Sequence, residues 1–228
     1  MMLRIYEHPE KEVVMEKISE KLSRFLQLRD KEKAVGYVLD ILRRGETDVI
    51  EFYSDILTPL LNGTECIMKD EKICIWQEHV RTAIVRTIVE CCYPYVIEKR
   101  NELNMPKRGT AAVLCPPDEA HDLGARIAAD FFVIAGYDTI FTGSCTPYRD
   151  FCNALRAVKP DIAAISISNY YNLVGAKKMI EEIRREAGPG LRIVSGGNAF
   201  ICDRQKKIES IGADLYVEKY EDIMKLDQ

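Results

Sequence analysis

The spacing of apolar residues changes once along this chain, and that change asks for two different architectures. Up to residue 100 the spacing is helical throughout. Residues 11–28 carry Val14, Ile18, Leu22, Phe25 and Leu26 on one face. Residues 31–44 repeat the pattern with Val35, Val38, Leu39 and Leu42, and Gly45 is placed to stop the helix. A third helix is expected over 49–61, ending before Asn62-Gly63, and a longer fourth over 72–99. The apolar face of the fourth includes Ile73, Trp76, Val80, Ala83, Ile84, Ile88, Cys91 and Tyr95, and Pro94 is expected to kink its end. Helices with short connections imply a four-helix bundle.

Residues 101–109 (Asn-Glu-Leu-Asn-Met-Pro-Lys-Arg-Gly) are polar and hold both Pro and Gly, which reads as a linker. Beyond it, short apolar runs alternate with helical patterns. Strands are expected at 111–115, 138–141, 162–167, 192–195 and 215–217. Helices are expected at 123–135, 148–158, 173–186 and 201–211, with Gly136 and Gly188 where two of them should end. Strands separated by helices form a parallel sheet covered on both faces. The fold class is therefore α/β with an all-α cap: a helical bundle domain over 1–100, a linker over 101–109 and a five-stranded α/β domain over 110–228.

Composition narrows the function. Hydrophobic residues at 47% and charged residues at 30% describe an ordinary globular chain, and a net charge of −4 gives no basic face for direct nucleic-acid binding. No apolar run reaches membrane-spanning length, and residues 1–12 are charged and lack a signal-peptide core, so a cytoplasmic location is expected. None of the eight cysteines forms a C-x-x-C pair. They read as reduced, mostly buried thiols.

The segment Glu119-Ala120-His121-Asp122-Leu123-Gly124 follows the first expected strand and opens the first expected helix of the second domain. That places an imidazole on a loop at the carboxyl edge of the sheet, where open α/β folds bind ligands. Imidazole is the commonest metal ligand, and a neighbouring carboxylate can fix its tautomer. Two further features lie at later strand ends: Ser166-Ile167-Ser168 and Gly196-Gly197. A histidine beside a carboxylate is usually a solvated pair and Gly-Gly is usually a turn. What singles these out is their order and spacing, with residues 125–165 and 169–195 filling the gaps.

That pattern resembles the fingerprint of cobalamin-binding domains that hold the corrinoid base-off with a protein histidine: D-x-H-x-x-G, then S-x-L, then G-G, on a flavodoxin-like (Rossmann-type) sheet. The resemblance covers residues 109–228, and the preceding bundle is similar to the helical cap of many members. It implies cobalamin as cofactor, with His121 as the cobalt ligand and Glu119 holding the far ring nitrogen. Asp122 and Leu123 would belong to the same cofactor loop, and Gly124 would let the nucleotide tail pass close to the backbone. Ser166 would hydrogen-bond the buried benzimidazole, Ser168 would line its slot, and Gly196 and Gly197 would make room for the tail. Two positions depart from the pattern: Glu119 stands for Asp, and Ser168 stands for Leu. A hydroxyl in an apolar slot needs a partner or costs about 1–3 kcal/mol.

Trp76, Glu78 and His79 extend the resemblance to the cap. Glu78-His79 is similar to the Glu-His motif of cobalamin-dependent light sensors and related regulators. In that motif a Trp precedes the pair by a fixed gap; here Met68 occupies that position, and Trp76 is out of register. The alternative for these residues is Trp76 in the bundle core and Glu78-His79 as a surface pair. In the second domain, 128–132, Gly136-Tyr137, Gly143 and Thr146-Pro147 look like the sensor branch, and Ala125-Arg126 replaces the Lys-Asn usual in methyl carriers. The resemblance thus implies a non-catalytic cofactor module acting as a corrinoid-dependent sensor or regulator. The alternative, suggested by the cap-plus-domain layout, is a corrinoid methyl carrier serving partner methyltransferases. The expected partner is a regulator or a methyltransferase, with a second copy of the chain a further candidate; no helix-turn-helix is expected before the cap, so a regulator would act through its partner. A third reading keeps an α/β module for another ligand such as heme; nucleotides are disfavoured because G-x-G-x-x-G and the P-loop are missing.

Overall fold

A computed structural model describes residues 9–62, 71–188 and 190–226. The chain divides into two compact units, Met1–Tyr95 and Val96–Gln228. The first is helical: α1 (Pro9–Gln27), α2 (Lys31–Arg43), α3 (Val49–Glu51), α4 (Thr58–Asn62) and the start of α5 (Glu71–Leu103). Asp30 caps α2 by accepting from the Lys33 amide, and Asp48 caps α3 by accepting from the Glu51 amide. The core is built from Ile18, Leu22, Val38, Ile41, Phe52, Ile56, Ile84 and Ile88, and includes Tyr53, whose hydroxyl donates to the Val89 carbonyl at 3.3 Å.

Two expectations for this unit need correction. The third helix is not uniform: Phe52–Leu57 forms a π-helical stretch between α3 and α4. Widening the helix displaces a carbonyl, and the Thr58 hydroxyl takes up that of Tyr53 at 2.7 Å. Helix α5 runs past Pro94 to Leu103, so residues 101–103 are its last turn rather than the start of a linker. The division between the units falls within this helix.

In the second unit the strands are β1 (Thr110–Leu114), β2 (Asp138–Gly143), β3 (Ile162–Ser166), β4 (Arg192–Gly196) and β5 (Leu215–Tyr216). They form one sheet in the order β2-β1-β3-β4-β5, with every pairing parallel. The helices are α6 (Leu123–Ile134), α7 (Tyr148–Val158), α8 (Leu173–Ala187), α9 (Arg204–Ile211) and α10 (Tyr220–Met224). Alternation along the strands sorts side chains by face. Ala112, Leu114, Ala163, Ile165 and Ile193 pack with Phe151 and Leu155 of α7, Met179 and Ile183 of α8, and Ile208 of α9. Ser166, at the end of β3, has the opposite parity and faces α6.

The helix expected from 201 begins at Arg204, because Asn198–Phe200 is a separate 3-10 turn that buries Ala199 and Phe200. Helix α10 was not expected; Tyr220 and Ile223 bury it. Strand β1 lies between β2 and β3, so the chain leaves it to one side and later returns on the other. The switch in strand order therefore falls between β1 and β3, at the carboxyl edge where open α/β sheets bind ligands, and the loops after these two strands meet there.

Candidate functional site

The loop after β1 turns tightly, with the Glu119 amide donating to the Pro116 carbonyl at 2.9 Å. This folds the Glu119 side chain inward, where its carboxylate is 1% exposed while the His121 side chain is 59% exposed. Oε2 of Glu119 accepts from the backbone amides of Ser168 at 3.0 Å and Asn169 at 2.9 Å, and from Nδ2 of Asn172 at 3.0 Å. Oε1 accepts from the His121 amide at 3.0 Å and meets Nδ1 of the His121 ring at 2.7 Å. Burial pushes the Glu119 carboxyl up, but the hydrogen bonds from Asn169, Asn172 and His121 outweigh it and hold the group below its ordinary value. An ionised carboxylate at Nδ1 requires the proton on that nitrogen. The lone pair of Nε2 is then left on the exposed side of the ring, ready for a metal.

The Ser168 hydroxyl has the partner its position requires, donating to the His121 carbonyl at 3.4 Å. Ser168 is thus tied to the histidine loop by both its amide and its side chain. The Cys115 thiol, 4.0 Å from the same carbonyl, is pushed up to about 12 by burial and by the charges of Asp122 and Glu119, so it stays protonated near neutrality. Asp122 is buried at the start of α6 and accepts from the Ser144 hydroxyl at 3.4 Å, while Leu123 turns into the core.

The glycines divide into two kinds. A Cβ at Gly196 would stand 2.2 Å from the Val217 carbonyl oxygen. One at Gly197, where φ is +107°, would stand 2.4 Å from that of Ile167. At these two positions neighbouring backbone by itself leaves no room for a side chain. Gly124 differs. A Cβ there would meet only the Ser166 hydroxyl, at 3.8 Å, and the residue sits in α6, where glycine is less favourable than alanine by roughly 0.5–1 kcal/mol. Nothing among the described residues calls for glycine at 124, so the strip it leaves open beside Ser166 suits a ligand.

The structure therefore brings Glu119, His121 and Ser168 into one hydrogen-bonded group, with Gly124 and Ser166 side by side. Trp76, Glu78 and His79 belong to the first unit, on α5. Trp76 is half-exposed rather than in the bundle core, with the Arg29 guanidinium 5.4 Å from its ring centre. Met68 lies outside the described residues. Of the cysteines whose side chains are described, Cys92, Cys115 and Cys152 are buried, Cys91 is half-buried, and Cys145 and Cys202 are exposed, all as free thiols. Sequence reasoning missed Asn169 and Asn172. Locally they read as a turn and a helix cap, and nothing near them points to a carboxylate on another loop.

One presented imidazole with one clamped carboxylate is too small a donor set for a bare ion. It suits a metal that brings further ligands of its own. The fold and this edge define a ligand-binding α/β module. Residues 109–225 match the model of the B12 binding domain. The chain belongs to the B12-binding domain family, and cobalamin is its cofactor.

The relatives agree. Trimethylamine corrinoid protein 1 of Methanosarcina acetivorans is 29% identical over 142 residues, 61% of this chain and 63% of that protein. Trimethylamine corrinoid protein of Methanosarcina barkeri is 30% identical over 50% of this chain and 52% of its own length. Dimethylamine corrinoid protein of the same organism is 31% identical over 44% and 46%. The chain thus spans between about half and three fifths of these curated relatives. In fold, it is similar to the monomethylamine corrinoid protein of Methanosarcina barkeri, with a TM-score of 0.77, 17% identity and coverage of 93% of this chain and 97% of that one. It is also similar to a cobalamin-binding protein from Desulfitobacterium hafniense, with a TM-score of 0.51, 14% identity and coverage of 91% and 96%. Among the described residues no helix is long and apolar enough to cross a membrane.

Proposed function

We propose that this chain is a corrinoid methyl carrier: it binds cobalamin and presents it to separate methyltransferases, one supplying a methyl group and another removing it. The observation that carries this reading is the sequence similarity to methylamine corrinoid proteins over the matched segment. It favours the carrier over the sensor that Glu78-His79 had suggested. When bound, the corrinoid supplies a cobalt centre that can accept and release a methyl group.

The protein's own part is positional. His121 would hold the cobalt through Nε2, on a side chain that is 59% exposed. Glu119 keeps the proton on Nδ1 and fixes the plane of the ring. The Ser168 and Asn169 amides keep Glu119 ionised and immobile. Gly124 and Ser166 bound the strip that receives the nucleotide tail, Ser166 offering a hydroxyl to it. Asp122 and Leu123 hold the start of α6 in place from inside. Gly196 and Gly197 act indirectly, by letting the ends of β3, β4 and β5 close together beneath the site.

The test is reconstitution. The protein is loaded with cobalamin, reduced, and mixed with a methylamine methyltransferase and its isotope-labelled methylamine. Label should appear in the protein-bound corrinoid. A correctly loaded protein that takes up no label from any methylamine donor would remove the carrier reading while leaving cobalamin binding intact.

A further inference from the structure

Beyond its bonds to the histidine loop, the segment after β3 becomes an exposed, uncharged stretch. From Ser168 to Ala176 no residue carries a charge, in a chain where 30% do. Within it Tyr170 is 56% exposed, Tyr171 71% and Val174 67%. The two rings stack with centroids 3.9 Å apart and planes at 34°. A side-chain hydrogen bond joins them and holds the Tyr170 hydroxyl above its ordinary value of 10.0. The Tyr171 amide donates to Asn169 Oδ1 at 3.0 Å, and the Asn169 amide donates to Glu119 Oε2, so the rings are tied to the carboxylate behind His121. The 3-10 turn Tyr170–Asn172 touches the one at Asn198–Phe200, and Ile201, directly after that turn, is 71% exposed. Apolar side chains from the loops after β3 and β4 thus stand exposed together at the carboxyl edge.

Size and chemistry say what such a patch can hold. Two tyrosines at these exposures offer roughly 200–300 Å². Even with Val174 and Ile201 the patch stays below the about 800 Å² per partner of a stable interface, so it cannot by itself keep two copies of the chain together. It matches the centre of a contact that forms and breaks: free of charge, and built on tyrosines that lose little conformational freedom when covered. A methyl carrier needs that kind of contact at this edge. One methyltransferase must reach the cobalt held at His121 and then leave, so that the other can reach it. We propose that Tyr170, Tyr171, Val174 and Ile201 are the apolar centre of the surface on which the methyl-donating methyltransferase docks. The partner surface that fits is uncharged and apolar, with a recess for the stacked rings. This rests on the carrier reading and names where the carrier meets its partner.

The experiment uses the full chain loaded with cobalamin and reduced. Label transfer from a methylamine methyltransferase and its methylamine is followed as the carrier concentration is varied. Three variants are compared with the wild type: Tyr170→Ala with Tyr171→Ala, Tyr171→Glu, and Tyr170→Phe with Tyr171→Phe. Loss of a central aromatic anchor weakens association about 30-fold or more, so the alanine pair and Tyr171→Glu should raise KM for the carrier at least about 30-fold, with kcat at saturating carrier unchanged. The phenylalanine pair keeps the rings and should keep a KM near that of the wild type. Cobalamin affinity and the melting of the cofactor-free protein should match the wild type in all three. A wild-type KM in the alanine pair and in Tyr171→Glu would overturn the proposal. So would a loss of cobalamin affinity, which would make the rings a wall of the cofactor site. A fall in cofactor-free melting, or a failure to fold, would assign the rings to the chain's own packing and overturn it too. A wild-type dimer that the variants dissociate would make the occupant a second copy, with the same result. A correctly loaded wild type that takes up no label would overturn the carrier reading and this proposal together; label uptake by the wild type with no change of KM in the variants would overturn this proposal alone.

Discussion

Two glutamate–histidine pairs close in sequence lie among the described residues, and they have opposite characters. In Glu119–His121 the groups meet at 2.7 Å and the carboxylate is 1% exposed. In Glu78–His79 they lie 3.8 Å apart, and the side chains are 47% and 70% exposed. The same chemical types give a clamped ligand in one place and a loose surface pair in the other. What separates them is the supply of other donors. Glu78 sits on a helix, where the backbone amides are already used within the helix; among the described residues it meets its histidine and the Thr82 hydroxyl, the latter at 3.0 Å. Glu119 sits where the loops after β1 and β3 converge, and two free amides and an asparagine reach it. A surface ion pair is worth little on its own. A buried carboxylate with several donors is rigid, and rigidity is what a metal ligand needs.

His121→Ala should break the contrast most severely. It removes the nitrogen donor, so the loss in cobalamin affinity should exceed the about 10–100-fold typical of groups behind the ligand, with the histidine signal at cobalt gone from the resonance spectrum. Unchanged affinity and spectrum would equate this pair with the one on α5.

Glu119→Gln comes next. Its amide would face donors with a donor, costing about 1–3 kcal/mol of stability in a denaturant titration and about 10–100-fold in cobalamin affinity. The same variant tests the acid limb. Glu119 is held below its ordinary value of 4.5, so its contribution to stability is present above that value and is lost as pH falls through the folded one. Melting of the cofactor-free wild type should therefore fall more steeply than that of Glu119→Gln below pH 4.5.

Gly124→Ala should split in sign. Cofactor-free protein should gain roughly 0.5–1 kcal/mol from the better helix former, while cobalamin affinity drops because the open strip is filled. Equal or tighter binding would show that the strip is not used. At the smallest end, His79→Ala should change stability by no more than about 0.5 kcal/mol and leave cobalamin uptake unaltered in a binding titration.

Much of this architecture was legible because the apolar runs of the strands and the spacing of the helices are local signals. Val113, Ile165 and Val194 announce their strands whatever lies elsewhere. The π-helical stretch at Phe52–Leu57 was not legible, because its register differs from an α-helix by a displaced carbonyl that Thr58 absorbs. Helix α10 was missed because two buried residues, Tyr220 and Ile223, are too few to set a period. In the site, Glu119 and His121 could be read because they are neighbours on one loop. Asn172 could not, since the sheet order, rather than any local pattern, brings its loop beside theirs. Gly196-Gly197 was visible as a demand for small size, but sequence does not say which atoms impose it.

That last point bears on how the fingerprint is read. The pair at 196 and 197 is required by the carbonyls of Val217 and Ile167, whether or not a cofactor is ever loaded. The fold alone would hold both in a chain that bound nothing, whereas position 124, against which the described residues set no backbone, would be open to a side chain.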